Sequence, residues 1–155
     1  MVRVLFVCLG NICRSPMAEA VFRDMVRKAG LADQIEVDSA GIGDWHVGDP
    51  PHRGTRQVLD QNGIAYDGIV SRQIRPEDIE RFDYIVAMDE SNMRGLERLG
   101  AKRSDRVFRL LDLVPDEPDE VPDPYYDGRF DEVYRLVCLG CEALLRRIQA
   151  DLAKA

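Results

Sequence analysis

The stretch from Val2 to Gly30 limits what this chain can fold into more than any other. Val2 to Val7 is apolar almost without a break, the pattern of a strand buried on both faces of a parallel sheet. A glycine-containing loop, Cys8 to Arg14, follows directly; Ser15 stands where an N-cap belongs and Pro16 at the first helical position. Ala18, Val21, Phe22, Met25, Val26 and Ala29 then recur at helical spacing, and Gly30 stops the helix. The same alternation continues. Ile35–Ser39 reads as a strand, Arg53–Asn62 as a helix ended by Gly63, Pro76–Glu80 as a short helix and Tyr84–Met88 as a strand. Ser91–Leu99 reads as a helix and Val107–Leu110 as a fourth strand, and the proline- and acid-rich Asp112–Pro124 as a long surface loop. Phe130, Val133, Val137, Cys141, Leu144 and Ile148 mark one face of a final helix. The expectation is an α/β fold: one domain over residues 1–155, doubly wound, with a four-stranded parallel sheet and helices on both faces. Such sheets bind ligands beyond the carboxyl ends of their strands, and the Cys8 loop lies at one.

Composition removes several classes of function. A net charge of −7 without a basic stripe argues against nucleic acid. The apolar opening is too short to span a bilayer, and no small-residue cleavage site follows it, so a cytoplasmic protein without membrane attachment is expected. Four cysteines do not make a disulfide scaffold at this length, and in a reducing compartment they are free, buried or reactive. Cys138 and Cys141 fall on the apolar stripe of the last helix and read as core thiols; His46 and His52 alone cannot build a metal site. Gly41, Gly43 and Gly48 make no dinucleotide fingerprint. No metal and no cofactor are expected.

The chemistry concentrates in the loop. A short turn between a strand end and a helix start can point successive backbone N–H groups inward as an anion cradle, reinforced by the helix dipole. Arg14 at its far end offers a planar fork for two phosphate oxygens. Cys8 at its near end places sulfur at the centre, where donors that hold an anion also hold a thiolate. Ser15 is placed to donate its hydroxyl toward that sulfur, and Gly10 and Asn11 tolerate the positive φ such a turn demands.

The run Val7-Cys8-Leu9-Gly10-Asn11-Ile12-Cys13-Arg14-Ser15-Pro16-Met17-Ala18-Glu19 resembles the signature of low-molecular-weight protein tyrosine phosphatases. The likeness extends through Asp38-Ser39-Ala40-Gly41, Trp45, Ala87-Met88-Asp89-Glu90-Ser91-Asn92 and Asp123-Pro124-Tyr125-Tyr126, in order and over essentially the whole chain. The resemblance implies hydrolysis of phosphotyrosine esters through a cysteinyl-phosphate, with Cys8 as nucleophile, Arg14 as phosphate clamp and Asp123 as general acid and then base. It places Leu9, Gly10, Asn11, Ile12, Cys13 and Ser15 in the phosphate loop, Asn11 and Ser39 as its braces, and Trp45, Tyr125 and Tyr126 as aromatic cleft walls. Tyr126 equally suits ordinary packing. Phosphotyrosine proteins or peptides are then the partners, with inorganic phosphate as product and inhibitor; a monomer is the expectation. A reversible Cys8–Cys13 disulfide, known from the family's same pair, would shield the nucleophile. One position departs: where vertebrate members often carry a histidine that braces the loop asparagine, this chain reads Ile69-Val70-Ser71-Arg72-Gln73.

Three rival functions fit the sequence less well. Arsenate reduction on a similar loop needs mobile relay cysteines, which the helix-stripe pair does not suit. Phosphoarginine hydrolases of similar sequence tend to carry threonine where Ile12 stands. A silent phosphoprotein-binding module would not need nucleophile, arginine, serine and acid together.

Overall fold

The computed structural model describes residues 1–154. Four strands, β1 (Val2–Cys8), β2 (Ile35–Gly41), β3 (Tyr84–Ala87) and β4 (Val107–Arg109), form a wholly parallel sheet in the order β2-β1-β3-β4. The helices between them are α1 (Arg14–Lys28), α2 (Arg53–Gln61), α3 (Pro76–Arg81) and α4 (Glu90–Arg98); α5 (Pro124–Asp127) and α6 (Phe130–Lys154) close the chain.

β1 shows why both faces are covered. Val4, Phe6 and Cys8 enter a core with Phe22 of α1 and Val137 and Leu144 of α6, whereas Leu5 and Val7 enter a second core with Ile74, Met93 and Leu96. Val4 to Val7 are all fully buried, as a central parallel strand requires. Phe6 meets Phe22 edge to face at 5.6 Å, which helps set α1 on the sheet. No helix among the described residues is long and apolar enough to cross a membrane.

Three departures from the sequence pattern bear on the phosphate loop and its surroundings; the other element ends shift by a single residue. Ser15 is not an N-cap, nor Pro16 the first helical residue: α1 begins at Arg14. Asn11 takes φ 57° and turns the chain into the helix early, while the Ser15 hydroxyl is claimed by Cys8 and Asn11 instead of a free amide. Of the two residues expected at positive φ, only Asn11 adopts it. β2 runs on to Gly41, which pairs with Cys8 on one side and bridges to Gln73 on the other. The chain after β4 is not all surface loop. Leu110–Leu113 tightens into a 3-10 turn, and Val121 is buried because its N–H donates to the Met88 carbonyl at 2.9 Å, drawing the loop across the sheet's carboxyl edge.

Candidate active site

In the order β2-β1-β3-β4 the chain leaves β1 toward one side and returns to β3 on the other, so the crevice opens beyond β1 and β3. The segment from Leu9 to Cys13 fills it. Its carbonyls are tied back into the protein: Cys8 accepts from Ile42 N–H (3.0 Å), Leu9 from Gly43 N–H (2.9 Å), Gly10 from the Ser71 hydroxyl (3.2 Å) and Ile12 from His52 N–H (2.6 Å). In a planar trans peptide the N–H opposes the C=O, so the amides of Leu9, Gly10, Asn11 and Cys13 are turned the other way, toward the mouth. An inward amide cradle therefore follows from outward carbonyl anchoring.

Cys8 is 3% exposed, with Sγ 2.9 Å from the Ser15 hydroxyl. Asn11 donates to Ser15 Oγ (2.8 Å) and to Ser39 Oγ (2.9 Å), and Ser39 donates to Glu19 Oε1 (2.6 Å). The Asn11 carbonyl accepts Arg72 N–H at 2.9 Å, and Arg72 is itself held by Asp78 (2.9 Å) and Asp38 (3.1 Å). Ser71 and Arg72 thus supply the bracing of Gly10 and Asn11 in this histidine-free stretch.

Glu19 was not singled out by any sequence pattern; its one signal is an acid set between Ala18 and Ala20 on a buried helix face. Burial pushes its carboxyl up to about 7, Asp38 adding to the effect and the Ser39 hydroxyl, Arg23 and Arg72 opposing it. The folded state then holds the proton more tightly than the unfolded chain does. The stability this group confers is full below the ordinary glutamate range and is lost as pH rises through about 7. Glu19→Gln, permanently neutral, should gain on the wild type across that window by about 3 kcal/mol. Urea midpoints for the two proteins, followed across the window, should diverge; parallel curves would show an unshifted carboxyl.

Arg14 is 2% exposed. It donates through Nη1 to Asp89 Oδ2 (2.7 Å) and to the Val121 carbonyl (3.0 Å), and through Nη2 to Asp123 Oδ2 at a looser 3.5 Å. Burial works against its charge, but Cys8, Asp89 and Asp123 hold its pKa above the ordinary arginine value. Its Nε is a buried donor with no partner among the described residues. A guanidinium anchored by one nitrogen, with a second loosely held and a third unpaired, is presented to an incoming oxyanion. Asp89 had no assigned role in the sequence. It caps α4 through Asn92 N–H at 2.8 Å and orients Arg14, both of which follow from its place at the end of β3.

Asp123 caps α5 through Tyr125 N–H (3.1 Å), which leaves its other oxygen facing Arg14. Cys8, Leu9, Gly10, Ile12, Cys13, Arg14, Trp45, Asp123, Tyr125 and Tyr126 line one pocket together. The structure thus brings the expected residues to one place, with Asn11, Ser15 and Ser39 behind the wall. Tyr126 is 77% exposed and meets Tyr125 edge to face at 5.4 Å.

Two histidines belong here as well, though nothing in their sequence context marked them. His46 lines the pocket, with Nδ1 3.4 Å from Asp49 Oδ2. His52 caps α2 by accepting Gly54 N–H through Nδ1 (3.0 Å), stacks on Phe130 at 5.1 Å and supports Tyr125 at 5.9 Å. Burial first, then Arg56 and His46, lowers its pKa, so the ring stays neutral as that acceptor role requires. Burial pushes the Cys13 thiol up to about 12, with Cys8 and Asp123 adding. Cys141 is buried and Cys138 half-buried on α6, and burial raises both thiols.

The model of the family described as low molecular weight phosphotyrosine protein phosphatase matches residues 3–154. The Bacillus subtilis (strain 168) protein named low molecular weight protein-tyrosine-phosphatase YfkJ is 54% identical over 153 residues, covering 97% of this chain and 98% of that one. The YfkJ crystal structure superimposes with a TM-score of 0.94 at 53% identity, covering 97% of this chain and 96% of the other. A protein tyrosine phosphatase from Entamoeba histolytica, solved with Hepes in the active site, gives 0.90 at 34% identity, over 97% and 99% of the two chains. The drosophila arginine phosphatase gives 0.85 at 37%, over 94% and 96%. On this evidence of sequence and fold together, the chain belongs to the low molecular weight phosphotyrosine protein phosphatase family.

Proposed function

We propose that this phosphatase, acting as one domain, hydrolyses phosphotyrosine esters of proteins or peptides through a cysteinyl-phosphate on Cys8. The observation that carries the reading is the convergence of the Cys8 sulfur, the Arg14 guanidinium and the Asp123 carboxylate in one pocket walled by Trp45, Tyr125 and Tyr126. The ester phosphate enters the amide cradle and takes hydrogen bonds from Arg14 Nε and Nη2. Because the phosphate draws Nη2 away from Asp123, the carboxyl is released to carry a proton to the leaving oxygen.

In the first step the thiolate forms the S–P bond, the P–O bond to the aryl group breaks, and Asp123 protonates the departing phenolate. In the second, Asp123 takes a proton from water as it attacks phosphorus, the S–P bond breaks, and the Ser15 hydroxyl donates to the returning thiolate. Inorganic phosphate, the product, competes for the same cradle. An aryl ester suits the aromatic walls, which can stack on its ring.

Asp123→Ala should slow turnover by about 100-fold for phenols of high pKa and far less for p-nitrophenyl phosphate, whose leaving group needs no proton. Leaving-group dependence of kcat checks this; uniform slowing would remove Asp123 from the acid role. Phosphotyrosine and phosphoarginine peptides, assayed side by side, test the substrate class: faster hydrolysis of phosphoarginine would overturn the tyrosine reading.

A further inference from the structure

We infer that His52 is a positioning residue for Tyr125: its ring, seated on Phe130, fixes the wall against which an aromatic ester stacks, and so favours aryl over ringless phosphates. The role rests on the reading of Tyr125 as a substrate wall, and it falls to a residue that does not itself line the pocket.

The residue type is the first sign. His52 caps α2, a position that serine, threonine, aspartate or asparagine commonly fills with a side-chain acceptor. Here Nδ1 is the acceptor, taking the Gly54 N–H at 3.0 Å. What histidine adds is a flat ring, and that ring has two aromatic partners. Phe130 stacks on it at 5.1 Å with 19° between the planes, and Tyr125 meets it edge to face at 5.9 Å and 75°.

The two partners differ in how firmly they are held. Phe130 opens α6 and packs against the main core. Gly54 lets the first turn of α2 close on it, since a Cβ there would come 2.4 Å from the Phe130 ring. The His52 ring is therefore tied at Nδ1 and across one face. Tyr125, by contrast, is 52% exposed on the four-residue α5. Two other rings approach it, Tyr126 beside it on α5 and His46 at 6.1 Å with a 54° tilt. Of the three, only His52 is stacked on a side chain packed into the core. The backbone N–H of His52 holds the Ile12 carbonyl at 2.6 Å, and any residue but proline keeps that bond. Exchanging the side chain thus alters the wall and leaves the phosphate loop tied.

The test compares the wild type with His52→Asp, which keeps a capping acceptor and loses the ring, and His52→Phe, which keeps a ring and loses the acceptor. Tyr125→Leu, alone and combined with His52→Asp, completes a double-mutant cycle. Each protein is measured for its thermal midpoint, for kcat/KM on an aryl phosphate, and for inhibition by benzylphosphonate, which carries a ring, and by inorganic phosphate, which does not. His52→Asp should lose about fivefold in benzylphosphonate affinity and in kcat/KM, the worth of one aromatic pair, with phosphate inhibition unchanged. His52→Phe should bind benzylphosphonate within about twofold of the wild type, although its thermal midpoint falls with the lost cap. The double variant should bind it no more weakly than Tyr125→Leu. Should His52→Phe not fold, the cycle with His52→Asp decides the matter. Wild-type benzylphosphonate binding by His52→Asp would overturn the inference, as would an equal loss for phosphate, a folded His52→Phe as weak as His52→Asp, or losses that add in the double variant. Undiminished benzylphosphonate binding by Tyr125→Leu would go further and remove the wall itself, and with it the support the wall gives to an aryl ester.

Discussion

Cys8→Ser is expected to lose turnover of aryl phosphates by about four orders of magnitude or more while still binding inorganic phosphate. Amides and a buried cation surround Cys8, but the cradle contains no group able to take a proton from a serine. The hydroxyl nearest to Cys8 belongs to Ser15, 2.9 Å from the sulfur, and the Asp123 carboxylate faces Arg14. Binding should survive, since the outward-tied carbonyls and Arg14 are untouched by one atom's exchange. Turnover is read with p-nitrophenyl phosphate and binding by calorimetry with phosphate. Retention of activity within tenfold of the wild type would exclude covalent catalysis by Cys8. A burst of phenol ahead of phosphate in the wild type would support the intermediate from the other direction.

Arg14→Lys should cost about three orders of magnitude in kcat/KM, although the charge is conserved. Lysine is a single point donor. It can keep the contact with Asp89, now 2.7 Å from Arg14 Nη1, but cannot also present the unpaired Nε and the loosely held Nη2 side by side. Inhibition by inorganic phosphate should weaken together with kcat/KM, because ground state and transition state use the same fork. A drop of less than tenfold, in a variant with the wild type's thermal midpoint, would mean that the amides alone carry the phosphate and that Arg14 serves chiefly to satisfy Asp89.

Much of the site was legible because it is local. Cys8, the loop and Arg14 lie in one continuous run, and a strand end followed by an amphipathic helix implies an anion site before any contact is known. Even there, the N-cap was misplaced by one kind of competition. Ser15 is a good capping residue by type, yet its hydroxyl lies within reach of Cys8 and Asn11, and those bonds won. Asp123 shows the opposite case: in its acidic loop it is one carboxylate among several, and only the resemblance raised it above the rest. Trp45 and Tyr125 were placed in the same way, whereas His46 and His52, in the loop between Trp45 and α2, gave no sign that they would line or support the wall.

Chain order by itself determined the parallel sheet, the position of the phosphate loop and the pairing of cysteine with arginine, because each depends on residues that are neighbours along the backbone. The tertiary structure alone decided which carboxylates serve that loop. Asp89 reaches Arg14 across 75 positions, Asp123 across 109, and Glu19 enters through Ser39 on an adjoining strand. No periodicity constrains such meetings. They are set by where the sheet brings its strand ends together and by the cost of leaving a buried donor or acceptor unpaired, which only the folded chain can settle.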